Sequence, residues 1–126
     1  MVRDDVDKLL AYANELLNAA EHEAERSAED VVTHLICMNA RQSAANFFAG
    51  YLMQNQVTVT QPVTLQGLLD QCRELDARFA SIDLGPMYCR CETHDKSYCL
   101  DMDQVKECMR IAQLARAVVL EDAPGY

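Results

Sequence analysis

The 126-residue chain carries 20 acids against 11 Lys and Arg, a net charge of −9, with half its residues hydrophobic and a quarter charged. That composition is globular and excludes disorder, while the acidic balance argues against a protein that coats nucleic acid, since such proteins collect basic residues to displace phosphate counterions. Four Gly, three Pro and 6% aromatics without Trp, beside plentiful Ala, Leu, Gln, Glu and Met, point to helices.

At this length one domain is expected over residues 1–126, with a core over about 5–120. The start, Met-Val-Arg-Asp-Asp-Val-Asp-Lys, has no apolar run behind its first charges, and no stretch approaches a membrane span. A cytoplasmic protein is therefore expected, with its six Cys as reduced thiols rather than a disulfide framework.

Charge is unevenly spread. Residues 1–30 hold nine acids and three bases, whereas residues 31–63 hold no acid and one base, Arg41. Residues 64–100 and 101–126 are each net −2. A long segment with a single charge is expected to be buried or to form an interface.

In chain order, residues 4–26 repeat Val6, Leu9, Leu10, Ala13, Leu16, Leu17, Ala20 and Ala24 at helical spacing, with acids opposite. Ser27 and Asp30 resemble a capping box that opens a second helix over about 28–53. Its apolar side reads Val31, Leu35, Met38, Ala45, Phe48 and Leu52; its other side reads Asn39, Gln42, Ser43 and Asn46, polar but uncharged. Such a helix is expected to be covered on both sides. Residues 54–63 are β-branched but show no partner strand and read as a loop.

Thr64 caps a third helix over about 65–80, with Leu68, Leu69, Cys72, Leu75 and Phe79 inward. Gly85-Pro86 stops it. A last helix over about 103–121 turns Val105, Cys108, Met109, Ala112, Ala115, Val118 and Val119 inward. The expected architecture is an all-α, up-and-down antiparallel bundle of four main helices.

Residues able to carry chemistry are few. Cys89-x-Cys91-x2-His94-x4-Cys99 places four soft-metal donors within eleven residues, but it lacks the paired C-x2-C of common zinc sites. No metal and no cofactor is expected. Cys37, Cys72 and Cys108 read as small core hydrophobes. Arg41 is expensive to bury unless it meets an anion or a carboxylate, so it is read either as a phosphate ligand or as the partner of Glu15 or Asp76. His34, two turns earlier, reads as a core histidine or a companion to Arg41. There is no nucleophile elbow and no Gly-rich phosphate loop, and no catalytic residue is assigned.

Three segments resemble the HEPN (higher eukaryotes and prokaryotes nucleotide-binding) domain family. Ala40-Arg41-Gln42-Ser43-Ala44-Ala45-Asn46-Phe47-Phe48-Ala49-Gly50-Tyr51-Leu52 is similar to the family's second helix. Pro62-Val63-Thr64-Leu65-x-x-Leu68-Leu69-x-x-Cys72 is similar to the opening of its third, without the family's His and Asp. Met87-Tyr88-Cys89-Arg90-Cys91 stands where members carry Tyr-x-x-Arg-Tyr-Pro.

The resemblance implies a helical bundle that dimerises and binds nucleotide or phosphate, often beside a minimal nucleotidyltransferase partner. It places Arg90 at the family's characteristic Arg before the last helix, so the expected ligand-binding residues are Arg41, Arg90 and His34. The family's ribonucleases, found in toxin–antitoxin and defence systems, carry Arg-x(4–6)-His. Here Arg90-x3-His94 is one residue short and Arg26-x7-His34 is too long. The expectation is thus a non-catalytic nucleotide-binding or partner module and homodimer, engaging no membrane and no extended nucleic acid. The alternatives are a HEPN-type ribonuclease and a metal-stabilised interaction domain built on Cys89 to Cys99.

Overall fold

The computed structural model describes residues 2–25, 33–61, 63–85 and 102–121. It is all-α, with α1 at Val2–Ala24, α2 at Thr33–Gln54, α3 at Leu65–Leu75, a 3₁₀ turn at Ala77–Ser81 and α4 at Met102–Glu121. There is no strand among the described residues, and no helix there is long and apolar enough to cross a membrane.

Two sets of contacts give the helix directions. Ala13 of α1 meets Ser43 of α2, and Leu10 of α1 lies against Gly50, so residue numbers fall on one helix as they rise on the other. Glu21 of α1 meets Gln113 of α4 and Asn14 meets Arg116, again in opposite order. Helix α1 is therefore antiparallel to both α2 and α4, as an up-and-down bundle requires.

Helix α2 is the central element, packed against α1, α4 and α3. Small residues make the α1 contact close. Ser43, fully buried, donates from Oγ to the Ala13 carbonyl at 2.7 Å. Gly50 lies so near α1 that a Cβ on it would stand 2.5 Å from Leu10 Cδ2. The expected inward residues of α1 all prove buried or half-buried.

The expected inward side of α2 needs correction. Leu35 and Met38 face solvent, 39% and 57% exposed, whereas Ile36, Cys37, Ala40, Ala44, Phe47, Phe48, Tyr51 and Leu52 are buried. A helix covered by three neighbours buries most of its circumference, so its apolar residues cannot mark one face. Ser43, expected on the outer polar side, is buried against α1 for the same reason.

Helix α2 ends in a Schellman motif: the Val57 N–H donates to the Leu52 carbonyl at 2.9 Å and the Gln56 N–H to the Met53 carbonyl at 3.0 Å. Gln56 takes the left-handed position at φ 61°. The following segment is a loop, as expected. Gln71 of α3 serves it in place of a partner strand, donating to the Thr58 carbonyl at 2.9 Å and accepting from the Thr60 N–H at 3.0 Å.

Thr64 is the N-cap of α3, accepting from the Gly67 N–H at 2.9 Å. A Cβ on Gly67 would stand 2.9 Å from Thr64 Oγ1, which accounts for a glycine in this first turn. Helix α3 ends at Leu75, short of the expected 80, and Leu75 is exposed. Asp76 breaks it with extended backbone at φ −149° and then caps the 3₁₀ turn, accepting from the Arg78 N–H at 2.9 Å. That turn drives Phe79 into the core, edge-on to Phe48 and tilted against Tyr51. The Ser27–Asp30 cap, Pro86 and the inward position of Val105 lie outside the described residues.

Candidate functional site

Helix α2 carries three features: a bare neutral stripe along most of its length and, in its first turns, one cation and one member of a thiol pair. The stripe consists of Leu35, Met38, Gln42, Ala45 and Ala49, all exposed or half-exposed. Their 3–4–3–4 spacing is that of a helix seam that packs along another helix. Every member is uncharged, and among the described α-helices α2 is the one whose sequence holds no acid.

Arg41 borders this stripe, half-buried, one turn after Cys37. The expected ion pair to Glu15 or Asp76 is not formed; among the described residues Arg41 makes no ion pair at all. The Asp76 carboxylate is taken by Arg78, at 2.8 Å from Nη2, and by the Tyr51 hydroxyl at 3.2 Å. Hydrogen bonds from Arg78, first its guanidinium and then its backbone N–H, with a weaker one from Tyr51, hold Asp76 down at about 2.

His34 belongs to α2, about 10 Å before Arg41 along the axis, and its side chain lies outside the described residues. Arg90 and the Cys89, Cys91, His94 and Cys99 donors lie outside them as well. Of the three expected ligand-binding residues, the structure thus places the side chain of Arg41 alone. Among the described residues no three His, Cys, Asp or Glu side chains converge as metal donors.

The thiol pair is a feature the sequence reading passed over. Cys37 of α2 and Cys108 of α4, 71 residues apart, bring their Sγ atoms to 3.7 Å. The Cys108 S–H, as donor to an ionised Cys37, lowers the Cys37 pKa, and the Arg41 charge adds to this against the opposing effect of burial. Cys108 is pushed up by that same hydrogen bond, by burial and by the charge on Cys37. Cys72 offers the contrast: its Sγ donates to the Phe48 carbonyl at 3.5 Å, and burial alone pushes it up to about 12.

The pair sits in a seam of small side chains. Cys37, Ala40 and Ala44 share one side of α2 at i, i+3 and i+7, while Cys108, Ala112 and Ala115 share one side of α4, and all six are buried in one core. Only separation in sequence hid this. Residue spacing reveals neighbours within a helix, not across two helices 71 positions apart.

Comparison with protein-family models, curated proteins and solved structures finds no significant match for this chain.

Proposed function

We propose that this chain is a non-catalytic, HEPN-like partner module that pairs with a second copy of itself through the bare stripe of α2. The observation that carries this reading is the exposure of Leu35 and Met38, 39% and 57%, on a stripe without charge. A chain of net −9 repels its own copy wherever acids face one another. Around a twofold axis each patch meets itself, so an acid-free seam is the face on which two copies approach without that penalty. Ala45 and Ala49 permit close approach of the helix axes, and Gln42, polar at a seam position, favours one register.

Sedimentation velocity on three chains tests it. Met38→Glu with Gln42→Glu places four acids in the paired seam and should shift the dimer to monomer, whereas Ala117→Glu, an exposed change on α4, should not. Equal behaviour of all three chains contradicts the reading.

A specific observation favours a ligand as well. Arg41 has no carboxylate partner among the described residues, and an unpaired, half-buried guanidinium fits a phosphate bidentately. The reading is a nucleotide or phosphate ligand on Arg41, with His34 as its companion on α2, Arg90 as the further residue the family resemblance implies, and a minimal nucleotidyltransferase as the partner protein it implies. Arg41→Ala should weaken nucleotide binding tenfold or more, taking a charge-assisted contact as about 1.5–3 kcal/mol, with little change in Tm. No binding by the unmodified chain at millimolar nucleotide contradicts it.

A further inference from the structure

The Cys37 and Cys108 sulfurs, 3.7 Å apart, are about 1.7 Å from disulfide distance. Rotation about χ1 moves Sγ by more than that, and Ala40, Ala44, Ala112 and Ala115 are buried in the same core as the pair. The two sulfurs are also unequal. Cys37 keeps 6% of its surface exposed beside the solvent-facing Met38, whereas Cys108 is fully buried.

We propose that Cys37 and Cys108 form a redox-active dithiol that reduces small-molecule disulfides and closes to an α2–α4 disulfide. The Cys37 thiolate attacks one sulfur of a disulfide RSSR, the RS–SR bond breaks, and the departing RS⁻ takes up the proton that Cys37 had released. Cys108 then attacks the Cys37 sulfur of the mixed disulfide. Its own proton passes to the second RS⁻, and the Cys37–Cys108 bond forms. Two protein thiols are oxidised and one RSSR is reduced to two RSH.

The assignment of roles follows from the environment. The first step needs the sulfur that ionises more readily and is less deeply enclosed: Cys37 is 6% exposed against 0% for Cys108, and its pKa is lowered first by Cys108 and then by Arg41. The second step needs proximity, which 3.7 Å supplies, and ionisation of Cys108, which is no longer opposed by the Cys37 hydrogen bond and charge once Cys37 is held in the mixed disulfide. Cys72, fully buried and bonded to the Phe48 carbonyl, has neither the ionisation nor the second sulfur. This inference stands apart from the dimer and from the anion site, neither of which it requires.

The test uses the full, reduced chain treated with 2-hydroxyethyl disulfide, quenched under denaturing conditions with N-ethylmaleimide and mapped by peptide mass spectrometry. The expected product is a Cys37–Cys108 linked peptide, two hydrogens lighter than its reduced parts, forming at least about tenfold faster than any modification of Cys72. Cys108→Ala should leave Cys37 trapped as the hydroxyethyl mixed disulfide, and Cys37→Ala should leave Cys108 unmodified. Recovery of Cys37 and Cys108 as alkylated thiols, or reaction of Cys72 at an equal rate, overturns the proposal. The unmodified chain alone decides this, so poor folding of either variant does not rescue it.

Discussion

The Ser43 hydroxyl donates to the Ala13 carbonyl at 2.7 Å, tying the middle of α2 directly to the backbone of α1. Both residues are fully buried, so the hydroxyl is the polar rivet of a contact that Gly50 continues against Leu10. Removing it leaves a carbonyl that the α1 helix itself still engages. Ser43→Ala should therefore cost less than about 1 kcal/mol, the lost hydrogen bond being partly offset by the better helix propensity of Ala. Ser43→Leu must force the helices apart and should cost about 3 kcal/mol or more. Equal urea midpoints for the two variants would deny the close α1–α2 contact.

Gln56 closes α2 in the left-handed region, at φ 61°, a position where a Cβ carries strain and glycine does not. Gln56→Gly should raise stability by about 1 kcal/mol, and Gln56→Val should lower it by a similar amount or more. Thermal unfolding of both variants checks the sign, which is the informative part.

Asp76 holds the turn after α3, and its carboxyl is lowered from an ordinary carboxylate value to about 2, chiefly by Arg78. A group depressed on folding stabilises the fold above its unfolded pKa, and that stabilisation is lost as pH falls through the folded value. Asp76→Asn keeps the capping oxygen and removes the charge. Its Tm should lie roughly a few degrees below that of the unmodified chain at pH 7, with the difference shrinking from about pH 4 through about pH 2. A difference independent of pH would remove the charge from the account.

Phe79 is the residue through which that turn reaches the core, touching Phe48 and Tyr51 at ring separations of 6.0 and 4.9 Å. Phe79→Ala should cost about 3–5 kcal/mol, whereas Ala80→Ser next to it, exposed, should change stability by less than about 0.5 kcal/mol. Denaturant unfolding distinguishes an anchored turn from an ornamental one.

What could be read from the residues alone was the local part of the fold. Apolar spacing in α1 identified its buried side because that helix has one dry face and one wet face. The Thr64 cap was legible because a hydroxyl three residues before a helix N–H is a local signal. In α2 the same method misplaced Leu35 and Met38, because three neighbours surround that helix and periodicity then carries no direction. The end of α3 at Leu75 was missed because Asp76 both terminates one helix and caps the next turn.

At the candidate site the same division holds. The lone charge of residues 31–63 drew notice to Arg41, and the acid-free character of α2 was plain from composition. That Asp76 is taken by Arg78 and Tyr51 rather than by Arg41 is tertiary information. The Cys37–Cys108 pair is tertiary in the same sense: each cysteine fits its own helix as a small apolar residue, and only packing of α2 on α4 makes them partners.

The central claim, that two copies meet through α2, is tested most directly by the mass of the unmodified chain in solution. Static light scattering over a rising concentration series, at physiological salt and with reductant present, should approach twice the 14.2 kDa chain mass. The Met38→Glu, Gln42→Glu chain should stay at the single-chain value over the same series. A mass of 14.2 kDa for the unmodified chain at the highest concentration would contradict the account.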